Sequence, residues 1–124
     1  MSTALNTATD TAAAGQPPSE VFNFAQHLLA ANTGRACKAA LIDDTGTLSY
    51  GLLDERARRM PAALRALGLR RVERVLLLMQ DSNVWPVTFL GALYAGLVPV
   101  AVNTRLTADD YAYMLAHSRA GAAV

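Results

Sequence analysis

Among side chains suited to nucleophilic or acid–base work, the thiol, amine and imidazole groups of this sequence are Cys37, Lys38, His27 and His117. A thiol reacts as its thiolate, which needs a neighbouring base or a positive field. Neither histidine stands at a known spacing from Cys37, so the cysteine reads as a small hydrophobe. As the only cysteine it can form no intrachain disulfide, and metal sites built on several cysteines are excluded. The chain has no glycine-rich phosphate loop, no H-E-x-x-H, no G-x-S-x-G and no cluster of metal-ligating side chains. No catalytic residue and no metal ligand are therefore assigned, and the residues alone describe an α/β piece without a reaction centre.

The charge balance narrows the partners. Eleven Lys and Arg against ten Asp and Glu give a formal net charge of +1, far from the basic field that neutralises several phosphates, so a nucleic-acid partner is not expected. Arginines between Arg56 and Arg74 interleave with Asp54, Glu55 and Glu73 as on a solvated helix face. No Lys or Arg precedes Arg35 and no continuous apolar run opens the chain, so neither a secretory signal nor a transit peptide is expected and the cytoplasm is the expected compartment.

These side chains need elements to carry them. Residues 1–19, rich in Ala and Thr and closed by Pro17-Pro18, lack a hydrophobic period and are expected to be a disordered tail. Residues 20–124 hold one α/β unit, for which 52% hydrophobic residues in a 124-residue chain supply a core. Phe22, Ala25, Leu28 and Leu29 predict a short helix over Val21–Ala31. Two short apolar runs, Ala39–Ile42 and Thr47–Ser49, joined by Asp43-Asp44-Thr45-Gly46, predict a β-hairpin. Ser49 then caps a helix over Tyr50–Leu67, with Leu53, Ala57, Met60, Leu64 and Leu67 along one stripe and Gly68 ending it. Pro61 lies inside it, removes one backbone bond and meets the Ala57 carbonyl, so a kink or split is expected there.

The stretch from Asn83 to Thr104 has no formal charge and taken whole is long enough to span a bilayer. Pro86, Gly96 and Pro99 divide it into a helix over Val84–Ala95 and a strand over Leu97–Val102. The face predicted to be buried on that helix is Phe89, Leu90 and Leu93, with Pro86, Val87 and Tyr94 nearby. With Arg74–Met79 read as a strand covered on both faces, the pieces make a βαβ unit with a right-handed crossover. Thr107 and Asp110 have capping-box spacing for a last helix, on which Tyr111, Met114, Leu115 and Ser118 share a face. Ala122–Val124 begins a further apolar run, and the chain is expected to stop inside a strand.

From Ala40 onward the order of features resembles the N-terminal segment of the AMP-forming acyl-CoA synthetases, the adenylate-forming family. The residues carrying the resemblance are Leu48-Ser49-Tyr50-Gly51-Leu52-Leu53, Ala63-Leu64-Arg65-Ala66-Leu67-Gly68, Glu73-Arg74-Val75, Asp81-Ser82, Leu90-Gly91-Ala92-Leu93-Tyr94-Ala95-Gly96 and Asn103-Thr104-Arg105-Leu106-Thr107. Each motif is weak alone, and six in order are specific. Phe22-Asn23-Phe24-Ala25 and Leu106-Thr107-Ala108-Asp109-Asp110-Tyr111 are most similar to benzoate-CoA ligases. The chain departs from the family pattern at Leu52, where a capping-box Glu is usual, at Pro61, at Val72, where a Gly precedes D-R-V, and at Gly121 before the last apolar run. These departures bear on stability more than on identity.

The resemblance implies a truncated N-terminal portion of an AMP-binding synthetase domain. The chemistry it implies is attack of an aryl carboxylate on the α-phosphate of ATP, then displacement of AMP by the CoA thiol. ATP, CoA and Mg2+ are thus implied for the complete enzyme, and none is expected to bind these residues alone, because the family's phosphate loop, adenine-contacting motifs and catalytic lysine have no counterpart here. Arg105 alone acquires a role, as a guanidinium fork for a CoA phosphate. A loop arginine before a helix is otherwise simply solvated. A stand-alone α/β interaction module and a membrane-anchored protein are the other readings, the former weakened by an open apolar strand at Ala122–Val124. The identity of the acid and the number of subunits are not legible in the residues.

Overall fold

The structure is a computed structural model and describes residues 19–124. The tail expected over residues 1–19 lies, apart from Ser19, outside the described residues. Asn23 sets the start of the first helix, α1 (Phe24–Ala31), because its side chain accepts the Gln26 N–H at 3.0 Å. The helix therefore starts after Val21 and Phe22, later than hydrophobic spacing alone predicts. Ala25 and Leu29 are buried as expected, and a 3-10 turn over Thr33–Arg35 follows.

The hairpin forms as the turn residues predict, β1 (Ala39–Asp43) pairing antiparallel with β2 (Gly46–Ser49). One carboxylate oxygen of Asp43 accepts from the Thr45 hydroxyl (2.6 Å) and from the Thr45 and Gly46 amides (2.8 and 3.1 Å). This is the Asx-type bonding that favours Asp at such turns. Helix α2 (Tyr50–Ala66) begins at Ser49, whose hydroxyl accepts the Leu52 N–H at 3.2 Å. Leu53, Ala57 and Leu64 are buried on its inner stripe. Leu67 is not, being 66% exposed, because the helix ends at Ala66 and the chain turns away through Gly68 at φ +81°.

Pro61 does not split α2, which runs as one helix through it. The ring is buried on the inner stripe, so its apolar contact offsets the single backbone bond it removes. The carbonyl to which Pro61 has no N–H to donate is that of Ala57. It lies on the side where α3 (Val84–Tyr94) approaches: a Cβ built on Gly91 would stand 3.2 Å from the Ala57 oxygen and 2.6 Å from Met60 Cγ. Only glycine lets the two helices approach this closely at that point.

The βαβ unit is present, with β3 (Arg74–Leu77) pairing parallel with β4 (Val98–Ala101) and α3 between them in sequence. Both strands are shorter than their apolar runs. A short strand, β5 (Ala122–Ala123), adds in parallel to the other side of β3, after helix α4 (Ala108–Ser118) has crossed from one edge of the sheet to the other. Val75, Leu76 and Leu77 are at most 1% exposed, as a central strand requires.

Two apolar clusters meet at α3. Val87 and Leu90 join Ala25, Leu29, Leu48, Leu53 and Ala57 on one side, whereas Ala92 joins Leu64, Leu69, Val75, Leu77 and Leu97 on the other. The buried positions of α3 are consequently Val87, Thr88, Leu90, Gly91 and Ala92, with Phe89 and Leu93 only half-buried. This corrects the single stripe read from spacing, since a helix packed on both sides carries no one apolar face. The long uncharged run is a helix and a strand, and no helix among the described residues is long and apolar enough to cross a membrane.

Candidate functional site

In open α/β sheets, ligands collect beyond the carboxyl ends of parallel strands, where connecting loops diverge. Here the loops leaving β3 and β4 enclose an open cleft of about 700 Å3, lined by Gln80 and Asp81 from the first, Asn103, Thr104 and Arg105 from the second, and Trp85 from the first turn of α3. Trp85 is held by a stack on Phe89, ring centroids 5.1 Å apart. The cleft carries one cation, Arg105, and one anion, Asp81, and no ion pair joins them among the described residues.

The start of α3 is anchored from outside the sheet. The second carboxylate oxygen of Asp43 accepts the Asn83 N–H at 2.7 Å, and the Asn83 side-chain amide donates to the Gly46 carbonyl at 3.0 Å. The hairpin turn and the cleft-forming end of α3 are thus one rigid junction. The Thr45 hydroxyl, followed by the Asn83 amide, holds the Asp43 carboxyl below the ordinary carboxylate range.

The loop bearing Arg105 is ordered by side chains. Three consecutive amides each find one: Arg105 N–H donates to Asn103 Oδ1 at 2.9 Å, Leu106 N–H to the Tyr111 hydroxyl oxygen at 3.0 Å, and Thr107 N–H to Asp110 Oδ2 at 3.1 Å. The Tyr111 hydroxyl in turn donates to the Asn103 carbonyl at 2.9 Å. The capping box foreseen at Thr107 is complete, with the Asp110 N–H donating to Thr107 Oγ1 at 3.2 Å. The Thr107 hydroxyl and amide together lower the Asp110 carboxyl from its usual value. Backbone ends held this way leave the exposed Arg105 side chain free to reach into the cleft.

The other chemically suited residues are not brought together. Cys37 is exposed, His27 lies against Phe22 and His117 stacks on Tyr113. No group of three His, Cys, Asp or Glu side chains among the described residues could hold a metal ion. Sequence reading missed Trp85 and assigned Tyr111 only to a helix face. The signal for Tyr111 was its place one residue beyond the capping Asp110, which turns its ring back toward the loop.

Residues 29–124 match the family model described as AMP-binding enzyme. A benzoate–CoA ligase of Thauera aromatica is 45% identical over 108 residues, 85% of this chain and 20% of that protein. A 4-hydroxybenzoate–CoA/benzoate–CoA ligase of Rhodopseudomonas palustris is 45% identical over 86 residues, 69% of this chain and 16% of that protein. Among solved structures, a benzoate CoA ligase from Burkholderia xenovorans LB400 superposes with a TM-score of 0.81 at 58% identity, covering 83% of this chain and 21% of that one. The anthranilate CoA ligase AuaEII, solved with anthranoyl-AMP, gives a TM-score of 0.78 at 33% identity, covering 83% of this chain and 20% of that one. The chain thus spans about a fifth of the length of these relatives.

Proposed function

The chain belongs to the AMP-binding enzyme family, and from that premise we propose that residues 20–124 form the N-terminal portion of an aryl-CoA ligase of the benzoate type. The observation that carries this reading is the 45% identity with a benzoate–CoA ligase over 85% of the chain. In such a ligase the carboxylate displaces pyrophosphate from ATP to give an acyl-adenylate, and the CoA thiol then displaces AMP to give the thioester. The described residues supply the floor of a nucleotide cleft rather than the reacting groups. ATP and Mg2+ are held by residues outside this segment.

Within that reaction Arg105 is the residue of this segment that meets a substrate, as the cation for a CoA phosphate. Its support is position: it lies on an ordered loop at the carboxyl end of the sheet and has no ion-pair partner among the described residues. A guanidinium presents paired N–H donors that match phosphate oxygens. In the ligase containing this segment, Arg105→Ala removes a charge-assisted contact worth roughly 1.5 to 3 kcal/mol, raising the KM for CoA about ten- to a hundredfold. The KM of the variant should also be less sensitive to salt than the parent's, and pyrophosphate release from acid and ATP should be retained, because CoA enters only at the second step. Discrimination between CoA and dephospho-CoA separates the 3′-phosphate from the diphosphate as the group held. Equal CoA kinetics in variant and parent would remove Arg105 from the site.

A further inference from the structure

We infer that Tyr111 is the positioning residue for Arg105, an inference that rests on the phosphate-binding reading of that arginine. The loop from Asn103 to Leu106 leaves the end of a strand and enters a helix without forming a backbone ladder of its own, so nothing in regular structure fixes its path. The Tyr111 hydroxyl spans it. It donates to the carbonyl of Asn103 at 2.9 Å and accepts the N–H of Leu106 at 3.0 Å, which pins the residues before and after Thr104-Arg105 to one oxygen atom. That oxygen is carried by a half-buried ring on α4, a helix whose own start is locked by the Thr107–Asp110 capping box.

The consequence is preorganisation. A long arginine side chain loses much rotamer freedom when it binds an anion, and a loop that also had to be ordered on binding would weaken the contact further. With both loop ends tied to Tyr111, the backbone beneath Arg105 is set before CoA arrives. Tyr111 touches neither the phosphate nor a reacting atom, and it acts on affinity only through the residue it positions.

The test is Tyr111→Phe in the ligase that carries this segment, alone and combined with Arg105→Ala. The substitution keeps the ring and removes only the bridging oxygen. We expect the Leu106 amide to exchange with solvent about tenfold faster or more, and the KM for CoA to rise about two- to tenfold, the range expected for lost neutral hydrogen bonds. In the Arg105→Ala background the same substitution should leave the KM for CoA where Arg105→Ala put it. A merely structural role would predict instead an effect of equal size in both backgrounds, and that result overturns the inference. Unchanged exchange at Leu106 also overturns it. A silent Arg105→Ala overturns the phosphate reading and this inference with it, whereas a large Arg105→Ala effect beside a silent Tyr111→Phe overturns this inference alone.

Discussion

Val72 is the residue under most evident backbone strain, with φ at +71° and a side chain 65% exposed. A β-branched L-residue in the left-handed region loses roughly 1 to 2 kcal/mol relative to the ordinary regions, and little packing is available at this position to offset it. The conformation is held because the Val72 N–H donates to the Gly96 carbonyl at 2.8 Å just before β3 begins. Val72→Gly removes the steric term and restores about half of it as chain entropy, so a net gain of about 1 kcal/mol is expected. A urea midpoint no higher than the parent's would contradict this. The position was legible as a departure from the family's glycine; that its backbone stays in glycine's conformation was not. Arg105 was legible only through its motif, since an exposed loop arginine carries no local signal. The side chains that order its loop lie at separations of two to eight residues, and no single motif contains them.

Among elements, those specified by short-range chemistry were legible and those specified by packing were not. Ser49 and Thr107 each cap a helix through atoms three residues away, and the Asp43–Gly46 turn is closed by Asp43 itself. Helix α3 could be located between Pro86 and Gly96, but its buried positions depend on two partners that approach from opposite sides. That α2 continues unsplit through Pro61, with the ring buried, likewise was not legible from the residue itself. The junction between hairpin and α3 yields a pH dependence. Because the Thr45 hydroxyl and Asn83 amide depress the folded pKa of Asp43, its ionised form stabilises the fold fully above the ordinary carboxylate pKa of about 4 and progressively less as pH falls through the depressed value. Asp43→Asn should therefore lower the Tm at neutral pH, and the gap from the parent should narrow on acidification below about pH 4. A gap that stays constant down to pH 2 would show that the charge on Asp43 is not what binds the turn to α3.

At the scale of the molecule, the sheet is a floor: it presents a cleft lined by one cation, Arg105, above it. The 124-residue chain by itself is accordingly expected to release no pyrophosphate from benzoate and ATP, and measurable release would overturn the assignment of the adenylation machinery to other segments. The order of the sheet, β4-β3-β5, also implies an order in time. Pairing Val75 with Ala122 closes about twice as much chain as pairing it with Pro99. Each doubling adds about 0.6 kcal/mol of closure entropy, and β5 has only two residues with which to recover it. The β3–β4 pair around α3 should assemble first, with β5 docking on the finished edge. In pulse-labelled refolding, the Val102 amide, bonded to Leu77, should gain protection before the Val124 amide, bonded to Leu76. Simultaneous protection would mean that the three strands form in a single step, and β3 would then be the place where the whole sheet nucleates.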